Sequence, residues 1–236
     1  MIEIYRPTVR ELRHMVIDVL GGQWFDSPDF NLNLGAIRND DEENMEESGD
    51  DSEIITIKEN TFNDLIYIAW QEKSEQRLEF FTATTDPGYN QRQNPTYHPD
   101  KGVGCVREGY YPKVYTLGMH GSREALEQSG PPFMVYRDND RNKALTLDPS
   151  TQEKGWGFKL HYMGDGSTKV NRWSGGCQGP NHLKSIQRII SLVKSQKNAG
   201  MGDSVSYSLM RSSWFDADGD LSWAKEDYAS IQAKTE

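Results

Sequence analysis

Short runs of β-branched and aromatic residues, separated by turn-forming residues, recur through most of this chain. Runs of this length and composition are typical of β-strands rather than of helices. They occupy residues 30–38, 53–58, 64–71, 77–84, 109–119, 134–137 and 204–210, and a further run at 155–162 carries His161. We therefore expect a mainly β fold with flanking helices, in the α+β class.

Two segments have the apolar spacing of amphipathic helices. In residues 8–20, Thr8 and Glu11 have capping-box spacing at the start, and two glycines follow the end. This helix packs either on the domain or on another subunit, and the sequence favours neither. The second helix is expected after Pro180, with Asn181 as its cap.

The formal net charge of −10 is concentrated in one place. Residues 40–53 contain nine acidic side chains and no basic one, so the rest of the chain is nearly neutral. A run of this kind repels itself and has little to bury, which predicts a mobile loop. No basic face for nucleic acid is expected, and the run is too short to favour an acidic mimic of DNA.

The length of 236 residues predicts one main domain with additions at both ends. We expect an N-terminal helix and linker at 1–29, the domain at 30–212, and a charged surface appendage at 213–236. The chain has neither a secretory signal pattern nor about 20 consecutive apolar residues, so we expect a protein made in the cytoplasm without a membrane span. Its two cysteines, Cys105 and Cys177, do not form a disulfide framework.

A histidine and a cysteine lie at either end of a glycine-rich connection in residues 155–178, GWGFKLHYMGDGSTKVNRWSGGCQ. Their separation allows the chain to leave one strand and return beside it. A thiol needs a base, so His161 and Cys177 are a candidate base and nucleophile. The backbone amides of Gly175, Gly176 and Cys177 could form an oxyanion hole. The alternative is a cysteine packed as a small apolar residue and a structural histidine, and the surrounding pattern favours the reactive pair.

At these residues the chain resembles the L,D-transpeptidase (YkuD) family, whose pattern is a histidine, about fifteen residues, and then Ser/Thr-His-Gly-Cys. His161, Ser174, Gly176 and Cys177 occupy the matching positions. The chain is also similar to uncharacterised phage and Bacteroidetes proteins that share three motifs. Those motifs are TTDPG at 84–88, VYRD at 135–138 and WSxGCQ at 173–178. The resemblance covers roughly residues 78–212 and implies a β-sandwich or barrel with a helix after the cysteine.

The resemblance also implies roles for individual residues. It implies an acyl-enzyme on Cys177, with Ser174 in the catalytic set and the Tyr162 carbonyl orienting the histidine, and with neither metal nor cofactor. The chain departs from the family pattern at Gly175, where the family has histidine, and at Gly179, where it has asparagine or arginine. The first difference bears on oxyanion support and the second on contacts to a substrate carboxylate.

Four other side chains are candidates for contact with substrate. Trp173 and Gln178 flank the motif and could replace the two missing family residues. His120 lies 57 residues before Cys177 and is expected at a strand end that lines the cleft. Arg137 could bind a carboxylate through two hydrogen bonds, although a structural ion pair explains it equally well.

Two acidic segments resemble the openings of calcium loops. Residues 138–142 contain Asp138, Asp140 and Asn142, and residues 216–220 contain three aspartates at the same spacing. Both lack glycine at the sixth position, so turn-forming residues are favoured over a calcium site.

The function expected from these observations is cysteine-dependent acyl transfer on peptidoglycan stem peptides. The phage-like resemblance suggests a wall-modifying or wall-degrading protein that is carried on the virion or acts in lysis. The alternative is a non-catalytic virion or assembly protein that keeps the fold and binds other virion proteins.

Overall fold

The computed structural model describes residues 5–40, 45–47, 55–57, 60–164, 166–215 and 220–233. In these residues strands predominate over helices, which confirms the mainly β, α+β class. The strands are β1 (Asn33–Arg38), β2 (Met45–Glu47), β3 (Ile55–Ile57), β4 (Asp64–Glu72), β5 (Glu75–Thr84), β6 (Val103–Val106), β7 (Gly109–His120), β8 (Arg123–Gln128), β9 (Phe133–Asp138), β10 (Leu145–Leu147), β11 (Glu153–Gly155), β12 (Gly179–Pro180) and β13 (Val205–Arg211). The helices are α1 (Val9–His14), α2 (Tyr89–Gln93), α3 (Leu183–Gln196) and α4 (Ser222–Ala233); π-helical turns follow α1 (Met15–Val19) and α3 (Lys197–Met201), and short 3₁₀ turns lie at Pro149–Thr151 and Ser212–Trp214.

Seven strands form the main sheet, in the order β12-β5-β4-β1-β13-β7-β8. Neighbouring strands are antiparallel except β1 and β13, which run parallel in the centre. Parallel neighbours need a long connection, and here the connection is most of the chain. Two three-stranded sheets, β10-β3-β2 and β11-β9-β6, complete the β structure of the described residues.

The centre of the main sheet is buried on both faces. In β4, Ile66 and Ile68 belong to one hydrophobic cluster, whereas Leu65 and Tyr67 belong to another. This alternation follows from the two-residue period of a strand. Helix α3 covers the first face with its apolar side chains.

The second face is covered by both ends of the chain. Leu12 and Met15 of the first helical segment are fully buried there, and α4 adds three buried side chains to the same cluster. The N-terminal helix therefore packs on the domain, and its capping box between Thr8 and Glu11 is confirmed. Within the predicted C-terminal appendage, α4 is not only a surface element, because it contributes to the core.

The run at 155–162 is not one strand, contrary to the prediction. Strand β11 ends at Gly155, and Gly157 then adopts a φ of +85°, which breaks the strand conformation. His161 lies in extended backbone next to Leu160, which forms isolated bridges to Leu126 and to Gln178.

Two other local predictions also differ from the structure. Asn181 does not cap α3, because the cap position is His182 and the Asn181 side chain donates instead to the Ser167 carbonyl at 2.9 Å. Part of the acidic run is ordered, since Met45–Glu47 pairs with β3 and Asp40 is buried against two serine hydroxyls. The rest of 40–53 lies outside the described residues.

Candidate active site

Backbone pairing brings together the segments that carry His161 and Cys177, with Gly179 opposite His161 and Lys159 opposite Cys177. Leu160 pairs in parallel with Gln178: the His161 amide donates to the Gln178 carbonyl at 3.0 Å, and the Gln178 amide donates to the Lys159 carbonyl at 2.9 Å. The side chains of Leu160 and Gln178 are fully buried. Because side chains alternate along extended backbone, those of His161 and Cys177 lie on the opposite side of this pair.

The His161 ring is fixed by two contacts. Its Nδ1 lies 2.8 Å from the Tyr162 carbonyl oxygen, which is the contact that the family resemblance implies. Since a carbonyl only accepts, Nδ1 carries the proton and Nε2 is the basic nitrogen. The ring also stacks on His120, with ring centres 3.9 Å apart and planes 15° from parallel. Burial, with smaller contributions from His120 and Lys159, lowers the pKa of His161 to about 4, so it is neutral at neutral pH.

The Cys177 thiol is protonated at rest. It is a free, partly buried cysteine that packs against Phe62, Met163 and Val170. Its Sγ accepts a hydrogen bond from the Lys159 amide at 3.4 Å. Burial raises its pKa above the ordinary value. Because the thiol is protonated, a base must remove its proton when it attacks a substrate. In the described part of the chain no hydrogen bond joins Sγ to His161.

Ser174 holds the turn of the cysteine loop, which we define as residues 171–177. Its side chain is fully buried, and Oγ donates to the Cys177 carbonyl at 2.7 Å while accepting from the Gly176 amide at 3.0 Å. Gly176 has a φ of +128°, and a Cβ there would lie 2.3 Å from the Gly104 carbonyl oxygen. Of the three amides predicted for an oxyanion hole, that of Gly176 is thus already engaged. The amides of Gly175 and Cys177 are the other two candidates.

Backbone contacts from the TTDPG segment (84–88) hold the cysteine loop in place. Thr84 pairs with Gly179 between β5 and β12, and the Gly88 amide donates to the Ser174 carbonyl at 2.9 Å. Sequence reasoning missed Asn60, whose Oδ1 accepts from the amides of both Tyr89 and Asn171. A lone asparagine in a turn carries no signal for such a role.

Two predicted substrate contacts are not available. Gln178 is fully buried, and its Oε1 accepts a hydrogen bond from the Tyr207 hydroxyl. Its side chain therefore supports the core beneath the site. Arg137 forms an ion pair with Glu153, with Nε to Oε1 at 2.7 Å, in agreement with the structural alternative.

His120 and Trp173 lie close to His161, the first stacked on its ring and the second against the ring of Tyr162. His120 ends β7, and burial, followed by nearby Lys159, lowers its pKa. Trp173 is 37% exposed and its ring meets the Tyr162 ring at a centre-to-centre distance of 6.3 Å. Sequence reasoning missed Lys159, whose Nζ binds Glu127 at 2.6 Å and whose amide binds Cys177 Sγ.

The second cysteine has a different environment. Cys105 is buried, and its Sγ lies 3.1 Å from Nη2 of Arg38, which also pairs with Asp86 and Glu108. Burial raises the pKa of Cys105 well above the ordinary value. Cys105 therefore serves as an unreactive internal control when the thiol reactivity of Cys177 is measured.

Neither a metal site nor a membrane helix is present in the described residues. No group of three or more His, Cys, Asp or Glu side chains there could hold a metal ion. Asp138 accepts from the amides of Asp140 and Thr146, and Asn142 accepts from that of Ala144, as in turns. Of the second acidic segment, 216–219 lie outside the described residues. No described helix has the length and apolar character to cross a bilayer.

No family model, curated protein or solved structure matches this chain. The resemblance to L,D-transpeptidases therefore stays a prediction from the motif residues, and the geometry of His161 and Cys177 is the basis for a functional proposal.

Proposed function

We propose that this protein is a cysteine-dependent acyl-transfer enzyme that acts on peptidoglycan stem peptides. The observation that carries the proposal is the parallel pairing of Leu160 with Gln178. It puts the side chains of His161 and Cys177 on the same side of the paired segments, and the Tyr162 carbonyl fixes the imidazole as the tautomer whose Nε2 is basic. A purely structural histidine would have no need to share this face with a partly exposed thiol.

The reaction begins with a neutral pair. Sγ of Cys177 attacks the carbonyl carbon of an amide as Nε2 of His161 takes the thiol proton. The new C–S bond gives a tetrahedral intermediate, whose oxyanion the amides of Gly175 and Cys177 could stabilise. Collapse breaks the C–N bond, the amine leaves with the proton from His161, and a thioester is left on Cys177. Water or a second amine then attacks the thioester and releases the thiol.

The substrate class rests on the motif resemblance, with which two features of the site are compatible. Trp173 provides an exposed aromatic surface on the cysteine loop, and Cys177 in the same loop is partly exposed. The site uses no metal or cofactor in this mechanism. A virion-carried or lytic role would favour water as the acceptor.

The second candidate is a non-catalytic virion or assembly protein that keeps the fold. It is favoured by the engagement of the Gly176 amide with Ser174 and of Sγ with the Lys159 amide. Both contacts would have to change before an acyl group could be bound.

Intact-mass analysis distinguishes the two candidates. The native protein is incubated with tetrapeptide and pentapeptide muropeptides, or with a carbapenem as an acylating probe, beside Cys177→Ala and His161→Gln. An enzyme gives an adduct that maps to Cys177, is lost in Cys177→Ala and forms more slowly in His161→Gln. A folded native protein that forms no adduct with any of these probes supports the structural candidate instead.

A further inference from the structure

Two arginines and two aromatic rings form a continuous row beside His161. Cζ of Arg123 lies 4.7 Å from the centre of the Tyr162 ring, and that ring is 6.3 Å from the Trp173 ring at an angle of 62°. Cζ of Arg172 lies 5.8 Å from the centre of the Trp173 ring. We call these four residues the arginine–aromatic row.

The row is connected both to His161 and to the cysteine loop. Arg123 faces His120 across the end of the β7–β8 hairpin, and His120 stacks on His161. Tyr162 supplies the carbonyl that binds His161, and Trp173 belongs to the cysteine loop. The two guanidinium groups are thus held at the rim of the site by residues that also build it.

The arginines of the row are available to a ligand. Both are exposed, and in the described part of the chain neither forms an ion pair with a carboxylate, whereas neighbouring Lys159 is paired with Glu127. Stacking on an aromatic face holds a guanidinium in place without using its five N–H donors. Two such groups make a local positive surface on a chain whose net charge is −10.

We propose that the arginine–aromatic row is an anion-binding subsite for a carboxylate of the peptide that is acylated onto Cys177. This inference rests on the proposed acyl transfer and narrows its substrate to peptides with a free carboxylate near the reacting amide. Arginine pairs with a carboxylate through two parallel hydrogen bonds, which fixes orientation as well as charge. The exposed part of the Trp173 ring accommodates the apolar part of the same ligand.

The test compares two alkylating probes that differ by one charge. Iodoacetate carries a carboxylate and iodoacetamide carries a neutral amide of similar size, and both alkylate thiols. Rates at Cys177 are measured by peptide mapping in the native protein, Arg123→Gln and Arg172→Gln. Arg188→Gln is the matched control, because Cζ of Arg188 also lies over a tryptophan ring, at 5.5 Å from Trp70, but on α3.

The ratio of the iodoacetate rate to the iodoacetamide rate should fall in the row variants by up to about fivefold, the factor for two unit charges about 4 Å apart in water. It should not change in Arg188→Gln, and high salt should reduce it in the native protein. Arg123→Lys, which keeps the charge, should retain part of the preference. All variants are checked for an unchanged melting temperature.

Failures of the subsite and of the proposed function give different results. If Cys177 reacts with both probes and the ratio is the same in native protein, Arg123→Gln and Arg172→Gln, the subsite is refuted while the reactive thiol stands. If Cys177 in the folded protein reacts with neither probe, the proposed function fails and the subsite fails with it.

Discussion

Replacing Glu108 with glutamine should cost far more stability than a surface change of the same kind. The Glu108 side chain is fully buried and its Oε1 lies 2.5 Å from Nη1 of Arg38 and 3.3 Å from Nε of Arg211. Oε2 accepts from the Tyr136 hydroxyl at 2.9 Å. Glutamine keeps the shape of the side chain but removes its negative charge. The positive charges of the buried Arg38 and Arg211 then lose the carboxylate that they share.

The size of the effect follows from the pKa of Glu108. Burial alone would raise this pKa, but Arg211 and Arg38 outweigh it and hold the pKa at about 2. An unfolded glutamate titrates near 4.3, so the charge contributes about 3 kcal/mol at pH 7. A depressed carboxyl pKa gives stability that is present above the unfolded pKa and is lost as the pH falls toward 2. About 2 kcal/mol of the difference between native protein and Glu108→Gln should therefore disappear between pH 7 and pH 3.

Urea denaturation at several pH values measures this difference. The matched control is Glu79→Gln, since Glu79 pairs with Arg188 at 2.7 Å but both side chains are solvent-accessible. An exposed pair is worth less than about 1 kcal/mol, whereas breaking a buried one costs about 3–5 kcal/mol. The reasoning is refuted if the two variants lose the same stability at pH 7. It is equally refuted if the Glu108→Gln difference does not shrink toward pH 3.

Three further predictions concern the site. Burial raises the pKa of Cys177 and lowers that of His161, so the alkylation rate of Cys177 should rise about tenfold per pH unit from pH 6 to 8; a plateau across this range would instead show a resting imidazolium–thiolate pair. Gly179→Ala should destabilise the protein by about 1–3 kcal/mol, because the new Cβ would lie 1.8 Å from the His161 carbonyl oxygen; a melting temperature equal to that of the native protein would contradict this. Ser174→Ala should lower the free energy of unfolding by about 1–3 kcal/mol, since it leaves the Gly176 amide without its buried acceptor; a change below about 0.5 kcal/mol would show that the turn does not depend on this hydroxyl.

Most long strands and the helices α1 and α3 were predictable because their signals are local, whereas α4, β6 and β8 were not predicted. Alternation of apolar side chains, as at Ile66 and Ile68, and the capping box of Thr8 and Glu11 need no knowledge of the rest of the chain. The return of the Cys177 segment beside the His161 segment was also accessible, since a glycine-rich connection lets a chain return beside itself. The L,D-transpeptidase fold and the domain boundaries stay predictions.

The sequence predictions that failed concern residues whose positions depend on contacts between segments far apart in sequence. A glutamine directly after a candidate nucleophile suggests a ligand contact, and only the pairing of Gln178 with Leu160 shows that its side chain enters the core toward Tyr207. Charged residues such as Arg38 and Glu108 are usually exposed, and these two are 70 positions apart in sequence. No local pattern distinguishes such a buried pair from surface charges.

The buried charges and the cysteine loop meet in one segment, residues 84–88. Asp86 pairs with Arg38 at 3.0 Å, while Thr84 and Gly88 on either side bind the backbone at Gly179 and Ser174. Apolar residues of similar volume often stabilise a core as well as a buried ion pair does, so stability alone does not account for Asp86. The ion pair between Asp86 and Arg38 does, however, fix one register of this segment. It therefore also fixes the position of the loop that carries the thiol. An enzyme must position its nucleophile accurately, so this anchoring is compatible with the proposed acyl transfer.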